Sequence, residues 1–198
     1  MIWDKVSGIY DVFEKAINGK VFNELGRRTA EYIESGDIVL ECACGTGAIS
    51  EAIAQKCRKL VATDLSSNMM SQAEKKCSIY GNTVFRKADM TALNCRDERF
   101  DKVVAGNVIH LLDEPQKAVS EMLRVCKKGG KVIIPTYINK SEKTNKLLVK
   151  LCEMAGVKFK REFTLDSYMD FFKDMGLNDV EFFVIEGHMP CAVAVVSV

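Results

Sequence analysis

The chain is expected to adopt an α/β fold built on an open, mostly parallel sheet, and three features of its sequence carry that expectation. From residue 38 onward, short apolar runs alternate with longer stretches of helical character, the pattern of right-handed strand–helix–strand crossovers. One apolar run ends in an acid and enters a glycine loop: Val39-Leu40-Glu41-Cys42-Ala43-Cys44-Gly45-Thr46-Gly47-Ala48-Ile49-Ser50. Glycines let the backbone turn tightly and let a ligand approach without meeting a Cβ, and nucleotide-like ligands settle at such a first βα turn. Two further acids, Asp64 and Asp89, stand at or just beyond the ends of the next two runs.

Residues 1–35 read as a helical cap, because Val6, Ile9, Tyr10, Phe13, Ile17, Val21, Phe22 and Leu25 recur at spacings of three and four. Tyr10 is either a core anchor of this leader or a lid residue over the ligand crevice. Ser35-Gly36-Asp37 ends the run. Ile38 to Glu41 is then the first strand and Thr46 to Lys56 the first helix; Leu60 to Asp64 is the second strand and Ser67 to Cys77 the second helix, with Ser66 or Ser67 as its N-cap. Thr83 to Lys87 forms the third strand, Phe100 to Gly106 the fourth, and Asn107 to Pro115 a loop. A helix with Pro115 in its first turn runs to Cys126. Lys128-Gly129-Gly130 is a turn before a fifth strand, Lys131 to Tyr137.

Beyond it the spacing predicts a polar-faced helix at Ser141 to Ala155, a basic linker from Gly156 to Phe163, and a helix from Leu165 to Met175. Val180 to Ile185 and Cys191 to Val196 are strand-like and stand so close that only an antiparallel hairpin can join them. No linker or repeat divides the chain. One domain over 1–198 is expected, with 36–138 as a ligand-binding core and 139–164 as a candidate lid insertion.

Composition narrows the function. Lys plus Arg total 28 against 27 for Asp plus Glu, a balance that lacks the footprint of a general nucleic-acid binder. No apolar run approaches the ~20 residues of a membrane span. Residues 1–15 carry charges and no apolar signal region, so the eight cysteines are expected to be thiols in a cytoplasmic protein. They form no metal-ligand spacing, and no metal is assigned.

The three acids face one crevice, since the carboxyl ends of parallel strands share one edge of the sheet. Asp64, 17 residues after Gly47, can accept two hydrogen bonds from a ribose diol. Asp89 can accept one from an exocyclic amine such as that of adenine, and Glu41 can attract an ammonium group. Ribose, adenine and an amino acid together describe S-adenosylmethionine.

In five segments the chain resembles the class I S-adenosylmethionine-dependent methyltransferases: E-C-A-C-G-T-G, A-T-D-L-S-S-N-M-M, K-A-D-M, F-D-K-V-V-A-G-N-V-I-H-L-L-D-E-P and L-R-V-C-K-K-G-G-K-V-I-I-P. The resemblance implies a Rossmann-like seven-stranded sheet in the order 3-2-1-4-5-7-6, strand 7 antiparallel, with helices on both faces. It implies that Glu41, Ala43, Gly45 and Gly47 hold the methionine part, Asp64 the ribose hydroxyls, and Leu65 and Met69 the adenine face. Asp89 would take the adenine amine beside the Met90 backbone, and Asn107 would lie near the methionine carboxylate or amine. The family often has Gly where Ala43 stands.

The implied reaction is in-line methyl transfer to a small-molecule acceptor, and the quinone, small-molecule and lipid methyltransferases are the most similar subgroup. Adenine N-methyltransferases carry Asn-Pro-Pro-Tyr after the fourth strand, whereas this chain has Asn107-Val108-Ile109-His110, so no nucleic-acid acceptor is expected. His110 is the candidate general base; its alternative is a loop histidine capping the next turn. Two other readings compete: a nicotinamide oxidoreductase, whose fingerprint would need a third glycine where Ser50 stands, and a noncatalytic module that binds S-adenosylmethionine.

Overall fold

The computed structural model describes residues 18–139 and 160–198. Tyr10, the start of the helical leader and most of the predicted lid and basic linker lie outside the described residues. Helix α1 covers residues 18–31. There follow β1 (Ile38–Cys42), α2 (Ser50–Ala54), β2 (Lys59–Asp64), α3 (Ser67–Cys77), β3 (Thr83–Lys87) and β4 (Phe100–Val104). A 3-10 turn (Ile109–Leu111) leads to α4 (Pro115–Val125), β5 (Cys126–Tyr137), α5 (Leu165–Asp174), β6 (Val180–Ile185) and β7 (Cys191–Ser197).

The seven strands form one sheet in the order β3-β2-β1-β4-β5-β7-β6. β1 pairs in parallel with β2 and β4, β2 with β3, and β4 with β5, while β7 runs antiparallel to β5 and β6. Strand order, antiparallel β7 and helices on both faces agree with the expected Rossmann-like sheet.

Period-two alternation explains why both faces are covered. Leu40, Val103, Val132, Ile134, Ala192 and Ala194 point into one core with α4 and α5. Their neighbours Val39, Val104, Ile133, Val193 and Val195 point into the other, with α1, α2 and α3. Central strands are therefore apolar on both sides, which is why they read as continuous hydrophobic runs.

Three local expectations are corrected. α2 spans Ser50–Ala54 rather than Thr46 to Lys56, because Gly45 and Gly47 take positive φ and hold the chain out of helix until residue 50. β5 begins at Cys126, directly after α4, so the predicted turn at Lys128-Gly129-Gly130 is an irregularity within a strand; the β4–β5 register shifts there, between Phe100 and Lys102. β4 ends at Val104 rather than at Gly106, with Asn107 at positive φ beyond it. Arg124, in the last turn of α4, bonds Glu121, Asp97 and the carbonyls of Leu93 and Cys95.

α5 closes one core through Tyr168, which is fully buried and donates from Oη to the Ile134 carbonyl of β5 at 2.5 Å. Asn18 pins the start of α1 to the β6–β7 turn, its Nδ2 donating to the Met189 carbonyl at 2.8 Å. Among the described residues no helix is long and apolar enough to cross a membrane. Removing the buried hydroxyl with Tyr168→Phe is expected to lower stability by about 1–2 kcal/mol, read as a shift of the urea midpoint at unchanged m-value.

Candidate functional site

The order β3-β2-β1-β4 reverses direction between β1 and β4, where their outgoing connections diverge to opposite faces and leave a crevice. A cleft of about 280 Å³ lies there. Ala43 and Gly45 follow β1, Asp64 and Leu65 end β2, and Ala88, Asp89 and Met90 follow β3. Gly106, Asn107 and Val108 come from the segment after β4, with Leu111, Leu112 and Met69 completing the wall. A smaller recess of about 50 Å³, lined by Phe22 and Glu41 among others, shares Ala43, Gly45, Gly106 and Asn107 with the cleft. The walls are largely apolar, the ionisable side chains on them are acids, and among the described residues no Lys, Arg or His lines either space.

Asp64 organises the glycine loop. Its Oδ2 accepts from the Gly45 N–H at 2.9 Å and its Oδ1 from the Ser66 N–H at 2.8 Å, so one carboxylate joins the loop after β1 to the start of α3. Ser66 is the N-cap of α3, its hydroxyl accepting from the Met69 N–H at 3.2 Å. That cap holds Met69 against the cleft. Asp89 forms an Asx turn, its Oδ1 accepting from the N–H and hydroxyl of Thr91, both at 2.8 Å.

Glu41 lies at the base of the recess, 2% exposed, and accepts from the Ser50 hydroxyl at 2.5 Å. Burial pushes its carboxyl up to about 8, so it is mostly uncharged at neutral pH. The two loop glycines do different work. A Cβ on Gly45 would meet no atom within 4 Å, so Gly45 faces open cleft. At Gly47 a Cβ would stand 2.9 Å from both Cα and Cβ of Ala73; this glycine lets α3 pack on the loop and lines neither space. Ala43 has φ 52°, a left-handed conformation that favours glycine.

His110 is 3% exposed and its Nδ1 lies 3.0 Å from the Thr136 hydroxyl. Its ring packs 5.6 Å from that of Tyr137, which in turn meets Phe22 edge-on at 6.4 Å. Burial holds the imidazole down to about 3, uncharged at neutral pH. The ring lines neither the cleft nor the recess, while its carbonyl accepts from the N–H groups of Lys160 and Arg161.

Of the residues picked out in the sequence, Ala43, Gly45, Asp64, Leu65, Met69, Asp89, Met90 and Asn107 line the cleft, and Glu41 lines the recess. Gly106, Val108, Leu111, Leu112 and Phe22 complete the walls without having been picked out. The pair after β4 had one legible signal, its place at the end of a strand flanking the switch point. Leu111 and Leu112 had none beyond apolarity.

The family described as "Methyltransferase domain" matches residues 40–134. The chain is 37% identical over 123 residues to a phosphatidylethanolamine N-methyltransferase from Cereibacter sphaeroides, covering 60% of each protein. It is 31% identical over 138 residues to a demethylmenaquinone methyltransferase from Renibacterium salmoninarum, covering 69% of this chain and 57% of that protein. The match thus spans about three fifths of each relative's length. In fold, the chain is similar to a methyltransferase from Haloferax volcanii solved in complex with the Trm112 methyltransferase activator. The TM-score is 0.75 at 16% identity, over 99% of this chain and 98% of the other.

Gly47→Ala combines a left-handed backbone with a clash against α3, and is expected to cost about 2–4 kcal/mol in urea unfolding. The folded state refuses a proton at His110 until about pH 3, whereas the unfolded state accepts one near its ordinary value of about 6.5. Stability is therefore lost as pH falls from 6.5 toward 3. Between pH 6.5 and 5 the wild type should lose about 2 kcal/mol relative to His110→Gln, measured by urea unfolding at the two pH values.

Proposed function

We propose that this chain, which belongs to the class I S-adenosylmethionine-dependent methyltransferases, moves a methyl group from S-adenosylmethionine to a small-molecule acceptor. The observation that carries the reading is the acid set, Glu41, Asp64 and Asp89, on two adjoining spaces to which no described residue brings a cationic side chain. That charge pattern suits a cationic nucleoside and opposes the pyrophosphate of a dinucleotide. Ser50 also occupies the place of the third glycine in the dinucleotide fingerprint, and it is turned inward onto Glu41.

In this reading Asp64 accepts the ribose hydroxyls, and Asp89 takes the adenine amine on the oxygen that does not bond Thr91. Leu65 and Met69 cover one adenine face, with the Met90 backbone beside it. The methionine part runs along Gly45 and Ala43 to the recess, where Glu41 and Asn107 meet its amino and carboxylate groups. Gly47 contributes by holding α3 against the loop rather than by contact. Tyr10 would approach from the leader.

When bound, S-adenosylmethionine supplies an electrophilic methyl group on a good leaving group. The chain's own contribution is to align the acceptor and keep water out, through the apolar lip of Val108, Leu111 and Leu112. The relatives named for phosphatidylethanolamine and demethylmenaquinone favour a quinol or lipid acceptor. His110 is the candidate proton acceptor of this reading, and the role requires the entering acceptor to expose the imidazole ring, which lines neither space. A buried neutral imidazole is a weak base, so it suits O- or C-methylation, where the attacked phenol or ring becomes strongly acidic as the methyl arrives. Amine methylation would not use it.

Labelled methyl donor offered with quinols, phenols, amines, thiols and lipid head groups tests the reading; label entering a quinol or lipid is expected, and label entering none of the five classes overturns the small-molecule assignment. Asp64→Asn places an amide N–H against one of the two backbone donors that Asp64 now satisfies, so it is expected to weaken S-adenosylhomocysteine binding by about 10- to 100-fold. His110→Ala is expected to change that affinity less. Equal losses, measured by calorimetry, would remove the role given to Asp64.

A further inference from the structure

Glu41 and Ser50 are a buried polar pair, and their place in the fold gives them more than a packing role. Glu41 ends the inward face of β1, and Ser50, the first residue of α2, is fully buried against it. Glu41 lines the recess, which shares Ala43, Gly45, Gly106 and Asn107 with the cleft, and Ser50 backs Glu41 from behind that lining. A hydroxyl can donate to a carboxylate or accept from a carboxylic acid, so the 2.5 Å contact between them is satisfied in either protonation state.

We propose that Glu41 and Ser50 are a proton-exchanging pair: when the ammonium end of the methyl donor enters the recess, Glu41 gives its proton to solvent. The Ser50 hydroxyl, which already donates to Glu41, then holds the carboxylate. The inference rests on the reading of the cleft as an S-adenosylmethionine site. In the step, the O–H bond of the Glu41 acid breaks, its electron pair stays on the carboxylate oxygen, and the proton passes through water to buffer. The ligand's ammonium group is unchanged, and nothing is oxidised or reduced. Ser50 is a positioning residue, acting on the ligand only through Glu41.

The surroundings favour an uncharged acid until a cation arrives. Burial raises the Glu41 carboxyl, the Ser50 hydroxyl draws it down, and the charge of Asp64 on β2 raises it further. The other titratable groups interacting with it are the thiols of Cys42 on β1, Cys44 in the loop, Cys57 after α2 and Cys77 on α3, which burial keeps protonated. Phe22 of α1 and Asn107 beyond β4 bring no charge to the lining. An isolated carboxylate in such a place lacks a counter-ion; the entering ammonium supplies one.

The test is calorimetric titration of S-adenosylhomocysteine, which carries the same amino-acid end, into the full chain in two buffers of different ionisation heat. At pH 6.5 about one proton should be released per ligand bound. At pH 9.5, where Glu41 is already ionised and much of the ligand's amine, a free amino-acid amine about one unit more basic than a peptide terminus, arrives uncharged, most of a proton should be taken up. The sign should reverse above pH 8. Glu41→Gln, nearly isosteric with the acid, should abolish the release at pH 6.5 while unfolding at the same temperature as the wild type. Ser50→Ala should move the reversal to higher pH, because the carboxylate loses its donor. Binding with equal heats in the two buffers at pH 6.5 makes the pair a structural tie and overturns the inference, leaving the methyl-donor reading intact. No binding in any buffer overturns both.

Discussion

One carboxylate joins the glycine loop to the start of α3, beside the backbone bond from the Cys44 N–H to the Thr63 carbonyl, and the shape of the site depends on it. Residues 43 to 49 contain three positions with positive φ, Ala43, Gly45 and Gly47, and no regular hydrogen-bond ladder of their own. Asp64 reaches them from β2 through the Gly45 N–H and holds the start of α3 through Ser66. Register between β1 and β2, where Cys42 lies opposite Thr63, brings that carboxylate to the loop. Loss of the carboxylate would remove one hydrogen bond from the loop and one from the capped end of α3 together.

Much of the fold was legible because strand and helix periods are local properties. The apolar runs at Val39, Val103, Val132 and Val193 mark strands buried on both faces, and the final hairpin followed from the short connection between two such runs. Asp64 and Asp89 were legible as lining residues because a strand's end fixes which edge of the sheet its last side chain occupies. The length of α2 was hidden, since it depends on left-handed φ values that glycine permits but does not announce. Gly47 was misread for a related reason: its neighbour is Ala73, 26 residues away, and only the packing of α3 makes the glycine structural.

The two buried ionisable side chains near the cleft were legible as residues but not as charge states. Glu41 and His110 both stand close to strand ends, yet burial drives their affinities for a proton in opposite directions, up for the acid and down for the imidazole. Each is neutral at pH 7 for the same reason, the cost of burying an unpaired charge. His110 is set by Thr136 and Tyr137 at the end of β5, a neighbourhood formed only when β5 lies beside β4. The sequence marks His110 as lying after β4, but its solvation is decided by another strand.

That no described residue brings a cationic side chain to the cleft lining also bears on turnover in the proposed reading. In it, S-adenosylmethionine enters with a positive sulfonium and the product leaves with a neutral thioether, past the acids Asp64 and Asp89 of the wall. Coulomb attraction between wall and ligand therefore weakens at the moment the methyl group departs. On the proposed reading, the cleft exchanges spent ligand for fresh without moving a residue, and added salt, which screens exposed acids, would narrow its preference for donor over product.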